Sequence, residues 1–176
     1  MNSFAIALFV VLGSTAIAAH LKPEDLYNAL NTPHSVWMVA RSYKRPEQGE
    51  QNKCVHSRRL TLTRNDYTFY QYYKHGSTQE QKLLYAGLTT DRATGEPAMD
   101  VNETPGQSGQ LYTLRFWDKV NQCGILTVDV KGKPECEMYA WDANVRNPSA
   151  LSECDVKFSE LCRSGMRYEV FIRGEC

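Results

Sequence analysis

Cys123-Gly-Ile-Leu-Thr-Val-Asp-Val130, then Lys131-Gly-Lys-Pro134, then Cys136-Glu-Met-Tyr-Ala-Trp-Asp142: the reading of this stretch decides the fold. Two short runs rich in β-branched and aromatic residues flank a turn containing Gly and Pro, the pattern of a hairpin. Each run begins with a cysteine. After Asn147-Pro-Ser149 comes a helical pattern that carries two more, Cys154 and Cys162. A hairpin tied to a helix in this way is a stapled corner of β structure. If both strands begin with their cysteines pointing outward, the period of two sends Gly124, Leu126 and Val128 inward from one strand and Glu137, Tyr139 and Trp141 inward from the next. A carboxylate sharing a face with two large aromatics is an odd filling for a plain core. It is a reasonable lining for a pocket.

The chain opens with an uncharged run whose apolar centre spans Phe4 to Leu12, followed by small residues at Ala16, Ala18 and Ala19. That is the form of a secretory signal peptide, residues 1–19, and the centre is too short for a spanning helix, which needs roughly 20 apolar residues. Roughly 155 residues would remain, the size of one ordinary domain, so 20–176 is read as a single domain. No later stretch is apolar enough to enter a bilayer. The sequence has 20 basic and 20 acidic residues, so neither nucleic acid nor an anionic membrane surface is an evident partner. All six cysteines fall after the leader, an even number in a secreted chain, and no Cys-x-x-Cys occurs. Three disulfides are expected, with 15 connectivities open from the sequence alone. The outward-facing hairpin cysteines favour bonds to the helix.

Read in order, Pro23–Leu30 is a short helix, with Pro and two acids in its first turn. Val36–Tyr43 is a strand placing Trp37, Val39, Arg41 and Tyr43 on one face, and Lys44–Lys53 a polar loop. Strands follow at Cys54–Thr63, Tyr67–Lys74, Gln81–Thr90, Pro97–Val101 and Gln110–Asp118, and Tyr67–Lys74 is strongly aromatic on both faces. The hairpin comes next, then a helix of roughly 15 residues from the Asn147-Pro148 cap, with its cysteines on the buried stripe, and a closing strand Arg167–Arg173. Asn102-Glu-Thr104 is the only glycosylation sequon. The sum is all-β: about eight short antiparallel strands in an up-and-down barrel, one short helix before it and one packed outside it near the C-terminus. Such a barrel has room for one small ligand.

These residues resemble the tick salivary lipocalins, the group of histamine-binding proteins and japanin-like immunomodulators. The resemblance covers nearly the whole mature chain and rests on the short helix, Val36-Trp-Met-Val-Ala-Arg-Ser-Tyr43, the cysteine opening the second strand, the late helix and the terminal Cys176. Its specific signal is the amine-binding pattern Cys-Asp-(Val/Ile/Leu), Glu-Leu-(Trp/Tyr), Cys, present here as Cys123-Gly124-Ile125, Glu137-Met138-Tyr139 and Cys154. The resemblance implies the bonds Cys54–Cys176 and Cys123–Cys154, which leaves Cys136 with Cys162. It implies a tryptophan-capped barrel floor at Trp37, although Ser35-Val36-Trp37 departs from the usual Gly-x-Trp. It also carries Tyr43, Glu137 and Tyr139 over as ligand contacts, and strand phase adds Phe69, Phe116 and Trp141 to the expected site, each of which could instead be ordinary core packing.

Two departures bear on the ligand. Amine binders surround the ammonium with several inward carboxylates, because a buried cation without charged partners is very costly. Here the aspartate of the first motif is Gly124, and the acid after the first strand is replaced within Lys44-Arg45-Pro46. One carboxylate, neutralised by inward Arg41 or Arg115, suits a mostly apolar ligand of sterol or fatty type. The implied role is that of a secreted, monomeric immunomodulator acting on host immune cells through a surface protein or through its ligand. A histamine or serotonin scavenger and a loop-based complement or protease antagonist are the alternatives. An enzyme is not expected: His20, His34, His56 and His75 lack metalloprotease spacing, and neither Gly-x-Ser-x-Gly nor a phosphate loop occurs. No cofactor and no metal site are expected.

Overall fold

The computed structural model describes residues 20–45, 51–162 and 165–176. The expected leader lies outside them. α1 (Pro23–Leu30) begins where Lys22 N donates to Asp25 Oδ2 (2.8 Å) and Pro23 takes a position that needs no amide donor. Its Leu26 and Leu30, four apart, are buried on one face.

Eight strands then run as an antiparallel meander: β1 (Val36–Arg41), β2 (Lys53–Leu62), β3 (Asp66–His75), β4 (Thr78–Thr90), β5 (Pro97–Asn102), β6 (Gln110–Asp118), β7 (Cys123–Val130) and β8 (Lys133–Trp141). β1 pairs with both β8 and β2, which closes the barrel. Closure leaves no unpaired edge among the eight. The β7–β8 turn is tighter than the Lys131–Pro134 expected, because Val130 already pairs with Lys133. The two residues between them, Lys131 (φ 55°) and Gly132 (φ 77°), are both left-handed, the geometry that matches the strand twist across a two-residue hairpin.

α2 (Pro148–Leu161) packs against β6, β7 and β8 from outside. Between it and the barrel lies a core that includes Cys123, Ile125, Met138, Leu151 and Phe158. Cys123–Cys154 and Cys136–Cys162 staple the hairpin to this helix, and Cys54–Cys176 ties the chain end to β2. The terminal segment forms only a two-residue strand, β9 (Tyr168–Glu169), rather than the expected Arg167–Arg173. The second core lies inside the barrel, where Leu26 and Leu30 of α1 meet Tyr67, Phe69, Leu84, Met99, Leu114 and Leu126. α1 therefore plugs one barrel end. It is fastened there by Trp141 Nε1 donating to Ala29 O (2.9 Å) and by the Lys119–Asp25 ion pair (2.8 Å).

Bulges correct two expectations about facing. The β1–β8 register shifts between Met38 and Ala40, so Trp37 and Val39 join the outer core while Arg41 turns inward. The four residues expected on one face are thus split. Trp37 does not cap the cavity floor: its indole donates to Asp142 Oδ1 (2.7 Å) and its ring meets His56 and Phe171 outside. The β6–β7 register likewise shifts between Leu114 and Phe116.

The α2 start offers a direct test of the local reading. Asn147 Oδ1 accepts from Ser149 N (3.2 Å) and Pro148 is the first helical residue. Asn147→Ala is expected to cost about 1 kcal/mol, which lowers Tm by roughly 2–4 °C in a domain of this size. Thermal unfolding followed by circular dichroism measures it.

Candidate functional site

The barrel encloses a cavity of about 270 Å³. Strand direction gives its two ends different chemistry. At the plugged end, α1 and the starts of β1, β3, β5 and β7 supply Leu26, Leu30, Val36, Phe69, Met99 and Leu126, with Trp117 and Trp141 from the ends of β6 and β8. At the open end, the opposite strand ends and the β1–β2 connection supply Arg45, Asn52, Lys82, Glu103 and Gln110. The lining changes from apolar to polar along the barrel axis.

Glu137 lies between these zones with 0% of its surface exposed. The Tyr43 hydroxyl donates to Oε1 (2.5 Å) and the Tyr139 hydroxyl to Oε2 (2.6 Å). Both phenols are pushed well above their ordinary value, by burial first and then by the adjacent carboxylate. They stay protonated donors. Arg41 pairs with Glu137 across β1 and β8 and is 2% exposed. Burial pulls its guanidinium below the ordinary value, with Tyr43 and Glu137 opposing. Its Nη2 donates to Gln51 Oε1 (2.8 Å), while Nε has no hydrogen-bond partner among the described residues.

Gln51 fastens a second arginine. Its Oε1 also accepts from Arg45 N (2.9 Å) and its Nε2 donates to Arg45 O (3.0 Å), fixing the backbone that carries Arg45 at the rim. Although Arg45 is exposed as a residue, its side chain lines the cavity. Burial lowers its guanidinium, but the surrounding groups, the Glu137 carboxylate among them, outweigh that and hold it above the ordinary value. Tyr112 is raised by burial and by Glu137, against a hydrogen bond with Arg45. Lys82 at the rim is already paired with Glu103 (2.6 Å). Deeper down, Tyr67 stacks on Phe69 (4.5 Å between centroids), and burial pushes its phenol up to about 12, against a hydrogen bond with Ser57.

Of the six residues expected to meet a ligand, Phe69, Tyr139 and Trp141 line the cavity. Tyr43 and Glu137 stand together just behind that wall. Phe116 is not part of the group: the β6 bulge turns it outward against the core under α2. Arg115 is also absent, since it pairs with Glu96 (2.9 Å) away from the cavity. Arg45, Tyr112 and Trp117 are lining residues that sequence reasoning missed. Tyr112 follows from the alternation of β6, but Trp117 needs the bulge and Arg45 lies in a segment read only as loop.

Gly124 has a definite steric role. A Cβ there would sit 2.9 Å from Phe116 O and 3.2 Å from Trp117 Cε3, so the indole occupies the space a side chain would need. Asn102, the sequon residue, lies at the rim with its Oδ1 accepting from Thr104 N (2.9 Å) and its Nδ2 donating to Ser108 O (2.6 Å). Among the described residues, no cluster of three or more His, Cys, Asp or Glu could hold a metal ion, and no helix is long and apolar enough to cross a membrane.

A closed eight-stranded barrel with a plugged floor, an outer helix and a lined interior is the ligand-binding fold of the lipocalin type. Within that class, the tick histamine-binding protein family model matches residues 18–176, and the chain belongs to this family. A search of curated proteins by sequence finds no match. Among solved structures, the chain is similar to AM182 in a serotonin complex, at 15% identity and a TM-score of 0.62, covering 84% of this chain and 90% of that one. It is also similar to japanin from Rhipicephalus appendiculatus bound to cholesterol, at 13% identity and a TM-score of 0.54, covering 82% of this chain and 96% of that one. A third is the siderocalin Ex-FABP, at 14% identity and a TM-score of 0.57, covering 84% and 97%. At these identities the likeness is one of fold.

Proposed function

We propose that this chain is a secreted, monomeric carrier that holds one mostly apolar molecule of sterol or fatty type and thereby modulates the host immune response. One observation carries the ligand assignment: both oxygens of Glu137 accept from phenols, and Arg41 stands opposite it across β1 and β8. Among the described residues, an ammonium entering this barrel would meet Glu137 with both its oxygens already hydrogen-bonded and Glu103 already paired with Lys82, and would be repelled by Arg45. Desolvating a cation under those conditions is strongly unfavourable. Apolar lining at the plugged end, by contrast, favours a hydrocarbon body.

Scavenging of histamine or serotonin is the competing reading. It is favoured by Glu137-Met138-Tyr139 standing where the family pattern has its second motif, and AM182 is a serotonin complex. Native mass spectrometry of the secreted protein, before and after solvent extraction, decides between them. The expected result is a retained mass of sterol or fatty-acid size, with no uptake of histamine or serotonin by the extracted protein. Tight amine uptake by an empty barrel would overturn the carrier reading.

A further inference from the structure

The outside of the barrel has two sides. α2 packs on β6, β7 and β8, whereas Tyr70, Leu83 and Tyr85 face outward from β3 and β4. Their direction follows from alternation: Phe69, Leu84 and Ala86 belong to the core inside the barrel, so the residues beside them point the other way. Tyr70 pairs with Leu83, and Tyr85 pairs with Asn102 across β4 and β5. Val101, the residue before Asn102, packs against the inner core and lines the cavity. Asn102 therefore turns its side chain to the outer face, at the rim. Directly opposed residues on one face of an antiparallel pair have Cβ atoms about 4.5–5.5 Å apart. The Asn102 amide thus stands beside the half-buried Tyr85 ring.

Asn102 is also the acceptor position of Asn102-Glu-Thr104. Two hydrogen bonds hold its side chain to the loop that follows: Oδ1 accepts from Thr104 N (2.9 Å) and Nδ2 donates to Ser108 O (2.6 Å). An amide nitrogen carries two hydrogens, so in the folded chain one can be replaced by a sugar while the other keeps Ser108. We propose that Asn102 carries an N-linked glycan whose first N-acetylglucosamine packs its C–H face on the Tyr85 ring. In the transfer, Asn102 Nδ2 bonds to the anomeric carbon of a polyprenyl-diphosphate oligosaccharide. The bond from that carbon to the diphosphate oxygen breaks, and the diphosphate leaves with the electron pair while the amide loses one proton. An aromatic face is negative and apolar, and the C–H face of a sugar is apolar with slightly positive hydrogens, so the contact takes apolar surface on both sides out of water. Asn102 is the last residue of the six-residue strand β5. A sugar bridging it to Tyr85 clamps the β4–β5 pair where the cavity opens, and covers part of the outer face that lies away from α2.

The site rests on the reading of the chain as secreted. To test it, the full chain with its own leader is expressed in insect cells, and the protein in the medium is trimmed by an endoglycosidase to a single N-acetylglucosamine. Thr104→Ala, which removes the sequon and leaves Asn102 in place, supplies the bare form. Peptide mass spectrometry should find the sugar on Asn102 in the unsubstituted chain and not in Thr104→Ala. Thermal unfolding should give the sugar-bearing protein a Tm about 2–4 °C above the bare one, the size of shift one added contact produces in a domain of this length. That shift should persist in Tyr85→Phe and fall below about 1 °C in Tyr85→Thr, each compared with its own Thr104→Ala partner. The sugar C–H signals in the NMR spectrum should lie upfield, moved by the Tyr85 ring current, a readout that needs no substituted chain to fold. A secreted protein bare at Asn102 would overturn the site. An equal Tm shift in Tyr85→Thr, or unshifted sugar signals, would overturn the contact with Tyr85. A chain that never enters the secretory route would overturn the secretion reading and this site with it.

Discussion

Glu137→Leu is expected to lower the unfolding free energy by about 3–5 kcal/mol. The substitution keeps the volume and removes the acceptor for two buried hydroxyls, those of Tyr43 and Tyr139. Each stranded donor costs about 1–3 kcal/mol, and Arg41, 2% exposed, loses the carboxylate opposite it across the strands. Glu137→Gln should cost less, because an amide oxygen can still accept from one phenol while the other hydroxyl turns to accept from its N–H₂. Urea denaturation with the disulfides intact measures the loss as a fall in midpoint at constant slope. Combining Glu137→Leu with Tyr43→Phe should recover part of the stability, since it removes one of the stranded donors. A loss below about 1 kcal/mol for Glu137→Leu would show that solvent or ligand reaches this position freely, and would return Glu137 to direct ligand contact.

That prediction depends on a residue whose position was legible in the sequence and whose partners were only half so. Alternation outward from Cys136 places Glu137 inside the barrel, where it is found, and it does so because β7 and β8 pair without a shift in register. The same reasoning places Gly124, Leu126, Tyr139 and Trp141 on the cavity wall. Helices α1 and α2 were legible because both open with proline at the first turn, and α2 adds an asparagine cap. Alternation fails where a strand carries an extra residue. The bulges in β1 and β6 reverse the phase beyond them, which sends Trp37 outside and Phe116 into the core under α2. No local composition marks either bulge. Arg45 was read as loop for a different reason: what brings it to the cavity is the Gln51 side chain, a contact between loop residues that no strand period encodes.

Gly124→Asp tests whether the missing acid of the amine-binding pattern can be put back. It is expected to destabilise the protein by about 3–5 kcal/mol and to bring no gain in histamine affinity. Two effects contribute, and they can be separated. The Cβ alone meets the Phe116 carbonyl at 2.9 Å, and a backbone atom in a paired strand cannot yield as a flexible side chain would, so Gly124→Ala should already cost about 1–3 kcal/mol. The carboxylate then has to share its space with the Trp117 ring, in a region walled by Leu114 and Leu126, where neither arginine of the open end can pair with it. Trp117→Ala in the same chain removes the indole and should relieve its share of the crowding, leaving the clash with the Phe116 carbonyl, which Gly124→Ala measures, and the unpaired charge. Urea denaturation of the three variants, with histamine titrated into each, resolves the two contributions. Near-wild-type stability with histamine uptake in Gly124→Asp alone would mean that Trp117 swings aside at little cost. The barrel would then be an amine site lacking one residue, and the indole would no longer be what sets its ligand class.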